Sequence, residues 1–361
     1  MMKSLIKALV PKTVLEQYHY ALATLGAIVY RFPSRELFVI GVAGTKGKST
    51  TTEIIRSILA EAGYTVAVAN TIRFAVGKES ERNFFKMTMP GRFFLQKFLR
   101  KAVAGGATHA VVEMTSEGAR QFRHKGIDLD ALVFTNLSPE HIESHGSMEA
   151  YAQAKLSLSQ HLVESPKRPR YIVANMDDAY GKKFLAAEVE VRVPFSLRDA
   201  EPYNADDKSV RFVWRRGELF VAPLPGLFNL KNILGSIALT EAMGVPMDII
   251  KRALAHMDTV PGRAERIAGT QPFTVIVDYA HTADSLRALY ETFKNQKIIA
   301  VLGATGGGRD AWKRPEMGRV AQVFAAMTIL TNEDPYDEDP YTIIEDIAKG
   351  FSRSGRASKK P

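Results

Sequence analysis

Three glycines, two lysines and a run of hydroxyls stand together in GVAGTKGKSTTT (41–52), directly after the apolar stretch LFVI. That composition suits a phosphate cradle. Glycine lets backbone N–H groups turn inward, and the positive end of a following helix favours an anion. Gly44, Thr45, Lys46, Gly47, Lys48, Ser49 and Thr50 would form it, with Lys48 reaching terminal phosphates and Ser49 offering its hydroxyl to Mg²⁺. The strict G-x-x-x-x-G-K spacing asks for Gly at position 42. Here that position is Val42, and the glycine falls one place earlier, at Gly41.

Other residues could share the chemistry, and each has a plainer role open to it. Glu113 ends the apolar run HAVVEM, where a carboxylate holds a metal or caps a helix. His141 and His145 lie four apart in SPEHIESHG, as metal ligands or as structural histidines. Lys155 sits in YAQAKLSLSQHL, a pattern in which a lysine is ordinarily solvated. Asn229 and Asn232 offer amides at a helix start, Arg263 follows a Pro-Gly break and Asp278 ends an apolar run. Such residues commonly serve turns and caps. Lys313 and Arg314 form a basic pair, which is most often exposed.

These groups need a scaffold. Apolar runs at 37–43, 65–70, 109–114, 131–136 and 171–176 alternate with helical patterns near 48–62, 90–104 and 147–163. This alternation predicts an α/β fold, a mostly parallel sheet covered by helices. Residues 186–222 read as antiparallel hairpins, and two helices follow at about 228–244 and 247–257. Pro261 and Gly262 punctuate the pattern. Alternation then restarts at 273–280, 297–305 and 327–334, a smaller Rossmann-like α/β unit. The expected organisation is a helical extension (1–36), a P-loop central domain (37–260), a second α/β domain (261–350) and a disordered tail (351–361).

The chain of 361 residues is 46% apolar and 24% charged, as in globular proteins. It has no cysteine, which excludes disulfides, thiol nucleophiles and cysteine zinc sites. The net charge of +9 is scattered, and no nucleic-acid motif accompanies it, so small polyanionic substrates are the favoured partners. The N-terminal run YALATLGAIVY has eleven residues, against about 20 needed to span a bilayer. It either docks on the following domain or makes a weak membrane-surface contact, with Lys3, Lys7 and Lys12 nearby. The cytoplasm is the expected location and a monomer the expected state.

GVAGTKGKST resembles the loop of the Mur ligases, G-x-x-G-T-x-G-K followed by Ser or Thr. The resemblance continues through EMTSEGARQFR (113–123), TNLSPEHIESHGSMEAYAQAK (135–155), GLFNLKN (226–232), VPGRAER (260–266) and VDYAHT (277–282). GGGRDAWKRPEMG (306–318) and TNEDPYDEDP (331–340) are most similar to the MurE type, which adds the third residue of the muramoyl peptide. The resemblance implies an ATP- and Mg²⁺-dependent ligase. It phosphorylates a carboxylate of a UDP-N-acetylmuramoyl-dipeptide-like acceptor, and the amine of an amino acid then displaces the phosphate.

The same resemblance implies roles for single residues. Lys48, Glu113, His141 and Lys155 would be catalytic. Ser49, Glu113, His141 and Lys155, the last as a carbamyl-lysine, would hold metal. A lysine can be carbamylated only as the neutral amine, which burial promotes. Asn229, Arg263 and Asp278 would contact nucleotide. Thr88, Thr115, Gln121, Arg123, Arg309, Lys313, Arg314 and Asp334 would hold the acceptor or the incoming amino acid.

The chain departs from the family pattern in four places. Some 36 residues precede the first strand, where MurE-type enzymes have a uridine-binding domain of about a hundred residues. Glu333-Asp334-Pro335-Tyr336 stands where diaminopimelate-adding enzymes have D-N-P-R, which suits a diamino acid such as lysine. The last unit stops just after Gly350, before the segment that normally completes it, and Glu117 takes the place of a usual histidine. Two other readings are a folylpolyglutamate- or cyanophycin-type ligase, and a nucleotide-binding homologue that acts only as a partner.

Overall fold

The computed structural model describes residues 11–352, apart from Lys86, His141 and Arg309. Helix α1 (Lys12–Val29) precedes β1 (Phe38–Ala43) and α2 (Lys48–Glu61). Next come β2 (Val66–Ala69), β3 (Arg73–Val76), β4 (Glu79–Arg82), α3 (Arg92–Ala104), β5 (His109–Glu113) and α4 (Ser116–Arg120). Strand β6 (Ala131–Phe134), α5 (Met148–Val163), β7 (Tyr171–Asn175) and β8 (Val191–Phe195) follow, with short helical turns at Ile142–His145 and Gly181–Leu185. The main sheet has the order β4-β3-β2-β5-β1-β6-β7-β8 and is parallel except at its β3–β4 edge.

The strands are continuous apolar runs because both faces of the sheet are covered. On one face Ile54, Ile55, Ile58 and Leu59 of α2 are fully buried with Ile233 and Ile237 of α6 (Leu227–Ala242). On the other, Leu99, Phe134, Leu158 and Phe184 close the second half of the core. Each such side chain contributes about 1.5–3 kcal/mol of transfer free energy. Strand β1 has β5 on one side and β6 on the other, so the chain reverses direction across it. The crevice beyond the carboxyl ends of such strands is where ligands gather.

Residues 186–222 only partly follow the expected hairpins. Strand β8 joins the main sheet parallel to β7, and only β9 (Tyr203–Ala205), β10 (Val210–Val213) and β11 (Leu219–Ala222) form an antiparallel sheet. The β3–β4 hairpin was not foreseen either, since its outer strand is fully exposed and polar.

After α6 and α7 (Met247–Ala255) the second unit contains β12 (Glu265–Ile267), β13 (Val275–Val277), α8 (Ala283–Thr292), β14 (Ile299–Leu302), α9 (Lys313–Phe324), β15 (Met327–Leu330) and α10 (Pro340–Ala348). It has its own small core of Leu286, Tyr290, Leu302, Met317, Ile343 and Ile347. Strands β14 and β15 pair in parallel, whereas β13 pairs antiparallel with β12.

Among the described residues three histidines are buried in the central unit. His109 lies between Tyr64 and Phe38, and burial pulls its pKa down to about 4. His124 and His161 meet edge to face at 4.6 Å, and burial pulls both below the usual histidine value. All three are thus held neutral in the fold, while the unfolded chain takes up protons first as pH falls below about 6.5. Stability should decline from there down to about pH 4, the folded value of His109. Thermal midpoints recorded between pH 7 and 4 test this. His109→Phe should flatten the profile, and an identical slope in wild type and variant would refute the assignment.

Candidate active site

The loop between β1 and α2 enters the helix through Gly47, whose φ is +79°. A Cβ there would fall 2.0 Å from Asn232 Oδ1, and one at Gly44 would fall 2.0 Å from Thr135 Oγ1. Both glycines are therefore required by close approach as well as by backbone geometry. The loop is tied from beneath. Thr45 N donates to Asn136 O at 2.8 Å, Lys46 N to Asn136 Oδ1 at 2.9 Å, and Thr135 Oγ1 to Lys46 O at 2.7 Å.

Glu113, at the end of β5 and in register with Val42, accepts three hydrogen bonds on Oε2. They come from Ser49 Oγ (2.8 Å), Thr71 N (3.0 Å) and Thr71 Oγ1 (3.1 Å). Lys48 Nζ lies 3.8 Å from the other carboxylate oxygen and donates to Thr45 O at 2.9 Å. Burial lowers the Lys48 pKa, and Glu113 and Glu140 partly offset that. Arg263 reaches in from the second unit and donates to Ser49 Oγ at 3.0 Å, with its guanidinium 4.6 Å over the Tyr279 ring.

Lys155 is only 2% exposed. Its Nζ donates to Gly44 O at 2.7 Å and lies 4.7 Å over the Tyr151 ring. Among the described residues no carboxylate forms an ion pair with it. Burial, with the positive charge of Lys48 next, drives its pKa well below the ordinary lysine value. A residue type that is ordinarily solvated is thus buried beneath the β1–α2 loop, where burial favours the neutral amine.

Glu140 was missed by the residue-level reading, although it stands one position before His141 in the quoted motif. It is 4% exposed, and its Oε1 meets both Lys46 Nζ (3.0 Å) and His281 Nε2 (2.6 Å). Lys313 opens α9, and its pKa is lowered by burial, with Glu140 and Asp310 partly offsetting this. The backbone N–H groups of Asp310 and Ala311 both bond the Glu143 carboxylate. These contacts bring the second unit over the loop. A cleft of about 550 Å³ lies between the units, lined by residues that include Lys48, Ser49, Glu113, Asn232, Arg263 and Asp278.

The other expected residues divide. Asp278 lines the cleft, and its carboxylate accepts from Ala264 N (2.6 Å) and Ala280 N (2.7 Å), bracing residues 261–264, the hinge that links the two units. Thr88 and Thr115 also line the cleft, Thr88 through a 2.8 Å bond to Thr71 Oγ1 and Thr115 as the cap of α4. Arg123 bonds Gln121 Oε1 at 2.7 Å and the backbone of Met89, so this pair braces the 87–89 loop. Asp334 accepts Gly306 N at 2.9 Å through its carbonyl. Two placements differ from expectation. Asn229 is 1% exposed and donates to Pro225 O at 2.8 Å, so Asn232 is the amide presented to the loop. Arg314 is 2% exposed and pairs with Glu338 and Asp346 within its own unit. His141 and Arg309 lie outside the described residues.

With this geometry in view, comparison with known proteins is decisive for the family. Residues 42–240 match the Mur ligase middle domain, and residues 262–359 match the Mur ligase, glutamate ligase domain. The chain belongs to the Mur ligase family. It is 35% identical over 345 residues to a UDP-N-acetylmuramoyl-L-alanyl-D-glutamate--2,6-diaminopimelate ligase of Syntrophomonas wolfei, covering 92% of this chain and 69% of that protein. The same-named Gloeobacter violaceus protein is 36% identical, with 91% and 68% covered. A solved structure of a ligase with this name superimposes with a TM-score of 0.63 at 30% identity, over 88% of this chain and 66% of the other. Folylpolyglutamate synthase from Mycobacterium tuberculosis shares the fold, with a TM-score of 0.75 at 16% identity over 97% and 87% of the two chains. This chain therefore spans about two thirds of the length of its ligase relatives.

The buried Lys155 amine separates stability from function in this Mur ligase scaffold. Its folded pKa is depressed, so folding carries a cost at neutral pH that fades as pH rises toward the ordinary lysine value. Lys155→Met should therefore raise the thermal midpoint by about 2–4 °C at pH 7 while removing ATP turnover. Calorimetry beside a phosphate-release assay checks both. A less stable or fully active variant would contradict the placement.

Proposed function

We propose that this chain is an ATP-dependent amide ligase that joins a diamino acid to a UDP-N-acetylmuramoyl-dipeptide-like acceptor in peptidoglycan synthesis. The observation that carries the reading is the convergence of Lys48, Arg263, Ser49, Glu113 and the buried Lys155 amine around one loop. A carboxylate does not react with an amine at neutral pH until one oxygen becomes a leaving group. Transfer of the γ-phosphoryl group to it gives an acyl phosphate. The amine nitrogen then forms the new C–N bond as phosphate departs and the ammonium proton is lost. Negative charge accumulates at one point, so catalysis rests on positioned cations and N–H groups.

In this reading Lys48 and the backbone N–H groups at the start of α2, residues 47–50, bind the phosphates, while Asn136 holds the N–H groups of Thr45 and Lys46. Arg263 follows from the second unit, which makes hinge closure part of assembling the site. Thr88, Thr115, Gln121 and Arg123 lie on the acceptor side, and Lys313 and Asp334 on the side of the incoming amino acid.

The donor set fits Mg²⁺. Among the described residues no cluster of three or more carboxylates, histidines or cysteines occurs. Mg²⁺ commonly takes one or two protein oxygens, keeps water and shares substrate phosphates. Ser49 and Glu113 would supply those oxygens, and Lys155 another once its neutral amine has added CO₂ and lost a proton to become a carbamate. The ion supplies charge neutralisation at the phosphate oxygens. Tyr336, 50% exposed beside Gly307, stands where the diaminopimelate-adding pattern has arginine. This favours lysine over diaminopimelate as the amine.

The test is direct. The protein is incubated with ATP, Mg²⁺, the uridine-linked muramoyl dipeptide and, in turn, lysine, diaminopimelate or ornithine, and products are weighed by mass spectrometry. Acceptor mass plus amino acid minus water, with one ADP per product, is expected. Lys48→Ala should lower turnover by at least about a thousandfold. Wild-type protein that binds ATP but yields no product with any amine would favour a partner role, and full turnover in Lys48→Ala would remove the phosphate assignment.

A further inference from the structure

Helix α1 carries apolar side chains on two opposite faces. The inner face presents Ala23 and Ala27, both fully buried, and Gly26, where a Cβ would stand 3.6 Å from Phe93 of α3. This face accounts for the docking of α1. The outer face presents Val14, Tyr18, Ala21, Leu25 and Ile28 at successive spacings of four and three, with Val29 beside them. Exposure is 50% for Val14, 57% for Tyr18, 49% for Leu25, 54% for Ile28 and 55% for Val29. At about 100° per residue these positions form a stripe opposite Ala23. From Gln17 to Tyr30 the helix has no Asp, Glu, Lys or Arg. A helix docked by one face ordinarily turns polar residues outward, and a contiguous outward apolar stripe marks an interaction surface.

We infer that this outer face seats on an anionic lipid surface. Charge complementarity selects that occupant. The first twelve residues contain Lys3, Lys7 and Lys12 and no acid, and Glu16 is the only acid of α1. Arg31, just past the helix, and Lys97 on the adjoining α3 are both exposed. Apolar burial at the headgroup boundary joined to basic residues is the combination that holds an interfacial helix. Tyr18 and Tyr20 are half exposed, and tyrosine suits that boundary. The helix does not cross the bilayer, since no helix among the described residues is long and apolar enough. A second copy fits less well. A five-position seam falls short of the three or more heptads of a coiled coil, and helices of this length would bury well under the roughly 1,200 Å² of a stable interface.

The full chain is tested by co-sedimentation with vesicles of phosphatidylcholine alone or mixed with phosphatidylglycerol, at low and high salt. Wild type should bind the anionic vesicles about tenfold more tightly and lose that gain in high salt. The double variant Leu25→Gln, Ile28→Gln should bind them about tenfold more weakly, with unchanged circular dichroism and ligase turnover in solution. A second pair, Val14→Ser and Tyr18→Ser, should behave alike, so that misfolding of one does not decide the matter. Absence of wild-type binding would overturn the inference. So would equal binding by wild type and variants, or a solution dimer that the variants convert to monomer, which would assign the face to a second copy.

Discussion

Burial of a lysine beneath the β1–α2 loop is the constraint on which the site depends. Lys155 can lie there only because Gly44 offers its carbonyl and Tyr151 its ring face, and because Lys48, close by, disfavours a second positive charge. An ammonium in that position would need a carboxylate partner to offset its desolvation. The nearest acids are already engaged, Glu113 by Ser49 and Thr71, and Glu140 by Lys46 and His281. The fold thus keeps a buried amine beneath the β1–α2 loop at some cost in stability.

The second unit completes this arrangement from the opposite side. Arg263 crosses from the hinge to Ser49, and His281 crosses to Glu140. Asp278 holds the hinge backbone on both sides of Arg263's entry, through Ala264 N and Ala280 N. Burial raises the Asp278 pKa while those two N–H bonds oppose the rise, so the carboxylate is useful only while the hinge keeps its shape. The loop and the second unit are therefore linked through the same few side chains. Ser49 makes the link explicit, since one hydroxyl donates to Glu113 and accepts from Arg263.

The alternation of apolar runs and helical patterns was enough to read the main sheet, because strands buried on both faces leave an unbroken apolar signal. It failed at β8, whose alternating exposure resembles a hairpin strand, and at the polar β3–β4 edge. The loop and Glu113 were legible from glycine spacing and from a carboxylate at a strand end. Depth was not legible. Lys155 shares the buried face of α5 with Tyr151, Leu158 and Leu162, but only the placement of that face under the loop shows how deeply its amine lies. The roles of Asn229 and Asn232 were hard to separate for the same reason. Three residues apart on one helix, they differ only in which of them abuts Gly47.

Arg314 shows how a residue picked out by motif resemblance can be engaged within its own unit. It adjoins Lys313, and both are basic, buried and at the start of α9. The helix turns successive residues by about 100°, so one side chain is directed toward Glu140 and the other into the unit's own core. Arg314 there joins Glu338 and Asp346 and bonds Thr305 O at 3.3 Å, tying α10 and the 305–308 loop to α9. Its charge holds the frame from which Lys313 projects. An arginine serving that purpose is subject to the same demand for a fixed position as a substrate-binding one, which is why the two are indistinguishable until the carboxylates around them are placed.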